Sequence, residues 1–248
     1  MRLLAHQLAA EQRVFWRNRE SAVFIFIFPL LLYALLGAVY SGDVNGVPVH
    51  DYLIAGLLGY GAANTAFAGL AITLVIRRES GILKRLRSTP LPPSTYVAAV
   101  LCSTLIVFTL QTLALIALGR VLYGAHLPEN PLGLAGAVVL GVAAFAGMGV
   151  GVASLIRSAE GASAVVNVIL LPMAFLSGSF GPTADYPPVL QTIGDVLPLT
   201  YYLDIVQGVY LSGDSLFADP TAIAAVAAWG AAGLAVAARR FTWMPRER

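Results

Sequence analysis

The chain has 248 residues, of which 58% are hydrophobic and 11% charged, with a mean hydropathy of +0.79 and a net charge of +2. Charged residues make up about a quarter of an ordinary soluble domain. This composition therefore excludes a soluble globular protein and indicates that the lipid bilayer surrounds most of the chain. The small net charge gives no sign of a nucleic-acid partner, and none is expected.

The first twenty residues precede any apolar segment and have the pattern of an amphipathic helix. At helical spacing, charged and polar side chains share one narrow sector, and apolar side chains lie nearly opposite. The polar set is Arg2, His6, Arg13, Arg17 and Glu20, and the apolar set is Leu4, Leu8 and Phe15. A helix in the inner membrane interface satisfies both faces. The alternative is a cytosolic extension with accidental periodicity.

Six apolar segments follow, each long enough to cross a hydrocarbon core about 30 Å thick, which takes roughly 20 residues. They are residues 21–41, 52–76, 94–119, 131–156, 161–181 and 220–238. None of them contains Asp, Glu, Lys, Arg or His. We therefore predict an all-α polytopic membrane protein with six transmembrane helices, folded as a single domain over residues 1–248.

Two features inside these segments predict helix geometry. Pro29 lies within the first segment and should kink it, because proline removes a backbone donor. Gly147 and Gly151 in the fourth segment have the small-xxx-small spacing that allows two membrane helices to approach closely.

The segment between the second and third spans, residues 77–93, holds five of the fifteen basic residues and the only lysine. Such charge cannot lie in hydrocarbon. Ile82, Leu83 and Leu86 form an apolar edge of a short helix that ends before Pro90. We expect Ile82 and Leu86 to insert into a partner's pocket while Arg78, Arg85 and Arg87 pair with acids around it. The alternative is positive charge that binds lipid headgroups.

Residues 182–219, before the last span, contain prolines and five aspartates but no basic residue. Two helical patterns are visible inside this external segment. The first comprises Leu190, Ile193 and Leu197, and the second Tyr202, Ile205, Val206 and Val209. We predict short external or re-entrant helices, because full exposure would leave so many apolar side chains in water. A flexible outer loop is the alternative.

The basic residues also predict the topology. If six spans alternate, fourteen of the fifteen basic residues fall on one side and only Arg120 falls on the other. Positive charge near span ends marks the cytoplasmic side. We therefore expect a multi-pass membrane protein with both termini in the cytoplasm.

The chain carries no sign of its own energy source. A phosphate-binding P-loop requires a lysine directly after glycine, whereas Lys84 follows Leu83. No His, Cys, Asp and Glu spacing suggests a metal site, so we expect neither a metal nor a cofactor on this chain. The spans also lack the acid that coupled carriers commonly hold, which disfavours secondary transport. A partner must supply the work.

Residues 78–91, RESGILKRLRSTPL, resemble the signature of ABC-2 type permeases, the membrane subunits of ATP-binding-cassette exporters, and in particular their daunorubicin-resistance-like branch. The resemblance extends over nearly the whole chain. It implies that residues 77–93 form a coupling loop, with a coupling helix that meets a separate ATPase subunit. The residues so assigned are Arg77, Arg78, Glu79, Gly81, Ile82, Leu83, Lys84, Arg85, Leu86 and Arg87.

The same resemblance implies the remaining parts of an exporter. The first twenty residues would be an interface helix beside the coupling loop, with contact residues Arg13, Phe15, Trp16 and Arg17. ATP and Mg would be bound by the partner ATPase. A second permease copy, identical or paralogous, would complete the transporter.

Spans two and five would line the transport pathway by this resemblance, and its candidate residues are Asn64, Phe67, Asn167, Met173 and Phe175. An apolar lining with a few amides suits a small lipophilic or amphipathic substrate, such as a drug, lipid or secondary metabolite. Simple helix packing is the alternative role for these side chains. Two other functions stay open at this point, an ATP-independent channel or carrier and a membrane scaffold that recruits a cytosolic partner.

Overall fold

A computed structural model describes residues 2–44 and 46–244, so Arg246 and Arg248, which enter the predicted charge asymmetry, lie outside the described residues. The spans, numbered one to six, are Val23–Val39, Val49–Glu79, Pro93–Tyr123, Pro131–Leu155, Ala159–Leu176 and Pro220–Arg240. Arg2–Arg17 forms the N-terminal helix, and one turn, Arg19–Ala22, leads into span one. The loop helix is Ile82–Arg87, and the far-end helices are Pro188–Gly194 and Pro198–Gln207.

The all-α polytopic architecture is confirmed. Within the described residues, spans two to six are long and apolar enough to cross a membrane, and span one is a shorter apolar helix. The only strands in this part of the chain are two short antiparallel ones of two residues each, Asp43–Val44 and Val47–Pro48, which were not predicted. The bundle thus has two ends: a loop end, which carries the loop helix, and a far end, which carries the far-end helices.

Several predicted boundaries require correction. Span two begins at Val49, three residues before its predicted start, and span three ends at Tyr123, four residues beyond its predicted end. Span two continues to Glu79, three residues beyond the predicted end, because its arginines find partners inside the protein. Span five ends at Leu176 instead of residue 181. Directly after it, Gly178 adopts φ +82° in a turn, a backbone conformation that glycine tolerates and that stops the helix.

Two spans contain π-helical segments. Val23–Ile27 ends two residues before Pro29, whose missing N–H leaves a carbonyl of that turn without its usual donor. Ala63–Gly69 lies in the middle of span two and contains Asn64 and Thr65, both buried. Each extra residue in a turn changes which side chains face a neighbouring helix.

The predicted close packing at Gly147 and Gly151 is confirmed, and the partner is span six. A methyl group added at Gly147 would lie 2.6 Å from the carbonyl oxygen of Gly230, and one at Gly151 would lie 2.6 Å from that of Gly233. The two backbones are therefore in direct contact. We call this contact the glycine seam of spans four and six.

The far end is closed by helices and side-chain anchors. Both short helices predicted between spans five and six are present, and Gly208–Ser212 continues the second as a π-helical turn. Tyr202 is buried, and its hydroxyl donates to the carbonyl of Ala137 in span four at 3.0 Å. The buried carboxylate of Asp51 accepts from the backbone N–H of His126 at 2.8 Å and contacts its ring Nδ1 at 2.7 Å. These bonds fix the loop between spans three and four.

The glycine seam predicts the effect of a single methyl group. We expect Gly147→Ala to lower the free energy of unfolding by about 1–3 kcal/mol, because the facing group is backbone and cannot rotate away. The gain of about 1 kcal/mol that alanine normally gives a helix would be outweighed. Thermal unfolding in detergent measures the change. Gly181→Ala is the matched control, since a methyl group there has open space. Equal unfolding midpoints for both variants would contradict the seam.

Candidate functional site

The basic loop at the end of span two folds into a compact reversal. Span two ends at Glu79, and Gly81 adopts φ +74°, which turns the chain into the loop helix Ile82–Arg87. The N–H of Arg85 donates to the carbonyl of Gly81 at 3.1 Å, so the short helix is closed at its start. As predicted, the helix ends before Pro90. A side chain at position 81 would have free space but an unfavourable backbone conformation.

Arg77 links span two to the N-terminal helix and to span three. Its guanidinium donates to Glu11 at 2.7 Å and to the hydroxyl of Tyr96 at 2.9 Å. The side chains of Arg77 and Glu11 are only 12% and 9% exposed. An ion pair with so little solvent around it is screened less than a surface pair. Arg77 therefore joins three helices at the loop end.

Arg78 is 1% exposed, and every nitrogen of its guanidinium has a partner. Nε donates to Glu79 at 2.7 Å, and the two terminal nitrogens donate to the carbonyls of Ala153 at 3.0 Å and Ile156 at 2.6 Å. These carbonyls belong to the end of span four. The expectation that Arg78 pairs with acids of a partner is therefore wrong for this conformation, because its charge is satisfied inside the chain.

The loop helix itself has an anchored side and a free side. Leu83 is fully buried and Leu86 is half-buried against the core, so the predicted apolar edge serves largely to fix the helix to its own protein. Ile82 remains 43% exposed. The exposed residues of this helix are Ile82, Lys84, Arg85 and Arg87. Three cations around one free isoleucine thus remain available to a partner.

The N-terminal helix is present as predicted and packs against span three. Gln12 donates to the hydroxyl of Ser103 at 2.8 Å and to its carbonyl at 3.1 Å. Of the four residues predicted to make contacts, Arg13, Trp16 and Arg17 are exposed, whereas Phe15 is half-buried. The Trp16 indole donates to Gln12 at 3.0 Å, and its ring lies 5.7 Å from that of Phe26 in span one.

Glu11 and Tyr96 are essential to this arrangement, and neither was among the predicted site residues. A signal for Glu11 exists in the sequence. It falls on the apolar face that Leu4, Leu8 and Phe15 define, where an unpaired carboxylate would be costly. An acid on the apolar side of an amphipathic helix thus indicates a buried cation elsewhere. Tyr96 carries no comparable signal, since tyrosine is common near membrane interfaces.

The predicted pathway residues do not all lie together. Asn64 and Asn167 line one cavity of about 350 Å³, which we call the amide cavity. Phe67 and Met173 are buried in the core, while Phe175 is 54% exposed and packs against Phe180. The other residues that line the amide cavity are Glu20, Phe24, Ile25, Ala68, Gly69, Ile72, Thr73 and Ser163.

The amide cavity holds polar groups that can bind a ligand. The side-chain nitrogen of Asn64 is buried and has no hydrogen-bond partner among the described residues. The nitrogen of Asn167 donates to the carbonyl of Ser163 at 2.9 Å. The neighbouring Thr65, by contrast, donates to Gln111 in span three at 2.9 Å. The Asn64 nitrogen is therefore an unpaired buried donor in a wall that mixes apolar and polar side chains, and a ligand acceptor or a water molecule that reached it would satisfy it.

Comparison with known proteins identifies the family. The chain matches the ABC-2 type transporter family over residues 4–211, a range that begins in the N-terminal helix and includes the loop helix and both far-end helices. The chain belongs to the ABC-2 type transporter family.

Three relatives of this ABC-2 protein carry the name permease. It is 23% identical over 204 residues to a Bacillus subtilis protein named as transport permease YvfS, covering 82% of this chain and 83% of that one. It is 26% identical over 228 residues to the transport permease ycf38 of Porphyra purpurea, covering 85% and 76%. It is also 26% identical over 146 residues to the multidrug ABC transporter permease YbhR of Escherichia coli, covering 59% and 40%.

The family and the geometry agree on what this ABC-2 protein can do. It is a multi-pass membrane protein, and its relatives support the role of a transport permease. At the loop end it holds a cationic helix, fixed from within and exposed on one side. In the bundle it holds a cavity of size suited to part of a small molecule.

Proposed function

We propose that the chain is the membrane subunit of an ATP-driven exporter of a lipophilic or amphipathic small molecule. The observation that supports this most is the division of the loop helix into an anchored and a free side. A surface that only meets lipid headgroups does not need a side that is buried in its own protein, as Leu83 is here. A surface that receives force from a partner does, because a loosely attached helix would move without moving the bundle.

The partner of the loop helix is an ABC ATPase subunit, which binds ATP and Mg. Ile82 is the apolar centre of the contact, and Lys84, Arg85 and Arg87 surround it with positive charge. This pattern suits a pocket with an acidic rim, where charged groups guide association and the apolar centre supplies affinity. The loop end and both termini then face the cytoplasm of a bacterium.

The translocation path is completed by a second permease copy, identical or paralogous. Closure of two ATPases on ATP would move both loop helices, and the change in the spans would lower the affinity for substrate on the outer side. The amide cavity is the proposed substrate contact within this chain. Its isoleucine and phenylalanine walls favour an apolar body, and its amides favour a ligand with hydrogen-bond acceptors. The daunorubicin-resistance-like branch remains a prediction.

The docking surface is tested by purifying the affinity-tagged chain from its native host and identifying bound proteins by mass spectrometry. We expect the wild-type chain to retain a P-loop ATPase and Ile82→Asp to lose at least about 90% of it, since an apolar contact centre would become a charge. Val189→Asp, which replaces an exposed valine at the far end, is the matched control and should keep the ATPase. An ATP-independent channel or carrier would yield no P-loop ATPase with the wild-type chain. Equal retention by Ile82→Asp and wild type would overturn the assigned surface.

The amide cavity is tested in proteoliposomes that contain the complex, with daunorubicin as the amphipathic probe. We expect the probe to stimulate ATP hydrolysis, and Asn64→Ala to raise the concentration for half-maximal stimulation about tenfold, the equivalent of one buried hydrogen bond to the ligand. Thr192→Ala, in a far-end helix, is the control and should match wild type. The cavity assignment fails if Asn64→Ala and Thr192→Ala give the same concentration dependence.

A further inference from the structure

The two adjacent arginines at the end of span two point into different parts of the bundle. Arg77 binds Glu11 of the N-terminal helix and Tyr96 of span three. Arg78 binds the carbonyls of Ala153 and Ile156 at the end of span four. Neighbouring positions on a helix face different directions, about 100° apart. Span two is therefore tied at one level to both sides of the bundle.

The Arg78 contact is suited to transmit a displacement. Carbonyls at the end of a helix lack partners within it, and the helix dipole favours a cation there. The planar guanidinium holds two of these oxygens and Glu79 at the same time, so it resists both rotation and translation. Because Arg78 is 1% exposed, water cannot readily replace a broken bond. A lysine offers one ammonium group and cannot reproduce the fork.

Span four packs directly on span six. Its glycines contact the backbone of span six, where Gly147 faces Gly230 and Gly151 faces Gly233. Backbone contacts of this kind leave no flexible side chain to absorb a shift. On the other side of Arg78, only Glu79, Ser80 and Gly81 separate it from the loop helix, whose Leu83 is fully buried.

We propose that Arg78 is the positioning residue through which the loop helix moves spans four and six as one unit, while Arg77 separately carries the link to the N-terminal helix and span three. The inference rests on the proposed function for the source of the motion. The link itself is a property of this chain alone. Arg78 therefore acts in coupling from inside the protein, and its exposed neighbours Lys84, Arg85 and Arg87 act at the surface.

The test uses pairs of spin labels on the full chain in lipid nanodiscs, with Cys102→Ser as the background. One pair, Ser88→Cys and Arg157→Cys, spans the Arg78 link, because both positions are exposed on the two sides of it. The second pair, Ser88→Cys and Arg13→Cys, spans the Arg77 link. Double electron–electron resonance gives the distance distribution of each pair. The variants are Arg78→Ala, Arg78→Lys and Arg77→Gln.

We expect Arg78→Ala to broaden the 88–157 distribution about twofold and to leave the 13–88 distribution unchanged, because local opening affects only the unit whose contact is lost. Arg77→Gln should do the reverse. Arg78→Lys should give an intermediate 88–157 width, since it keeps the charge but not the fork. Equal broadening of both pairs by Arg78→Ala indicates general loosening and overturns the proposal, as does an unchanged 88–157 width.

A second arm adds the partner ATPase and traps the complex with ATP and vanadate. The wild-type 88–157 distance should shift by less than about 2 Å, as expected for two parts of one body, whereas it should shift further in Arg78→Ala. A larger wild-type shift overturns the rigid link. If no ATPase assembles but the nanodisc distances behave as expected, the proposed function fails and the internal link remains.

Discussion

Two guanidinium groups at the end of span two cannot be left unpaired in a region of low dielectric, and much of the loop end is arranged around that constraint. Arg77 is satisfied by the N-terminal helix and span three, and Arg78 by span four. Each pairing holds other parts of the chain against the end of span two. The end of span two, from which the loop helix continues, is thereby tied to the N-terminal helix and to spans three and four. Charge satisfaction, a local requirement, thus holds the base of the loop helix against its own protein.

The bundle above this frame combines rigid and adaptable parts. The glycine seam joins spans four and six through backbone contact, and Gly149 brings span four against the π-helical part of span two. That π-helical part also carries Asn64, whose amide nitrogen has no partner in the described part of the chain. Irregular backbone beside an unpaired amide is frequent where membrane proteins bind ligands.

Several elements could be predicted from the sequence because each depends on local composition. Span existence follows from apolar length, and the loop helix follows from glycine, proline and charge. The contact at Gly147 follows from spacing, although its partner, span six, does not. These features need no knowledge of where other helices lie.

The direction in which individual side chains point was harder to predict than the presence of the helices that carry them. The burial of Arg78 depends on the carbonyls of span four, which are close only in three dimensions. The pathway residues were chosen along spans two and five, but the π-helical segment changes the phase of span two, so Phe67 turns into the core while Asn64 reaches the cavity. Glu11 was overlooked because the apolar face was defined by its apolar members. A polar residue on an otherwise apolar helix face, such as Glu11, says more about tertiary contacts than the apolar residues around it.

In the proposed transporter, the loop helix has one side fixed in its own protein and one side presented to an ATPase. Site-specific photocrosslinking from Ile82 and from Leu83 compares these two sides at adjacent positions, one 43% exposed and the other fully buried. A photoreactive phenylalanine analogue at position 82 is predicted to crosslink to a P-loop ATPase in cell membranes, and the same group at position 83 is predicted to give no such product. Crosslinks to the ATPase from both positions, or from position 83 alone, would contradict the account.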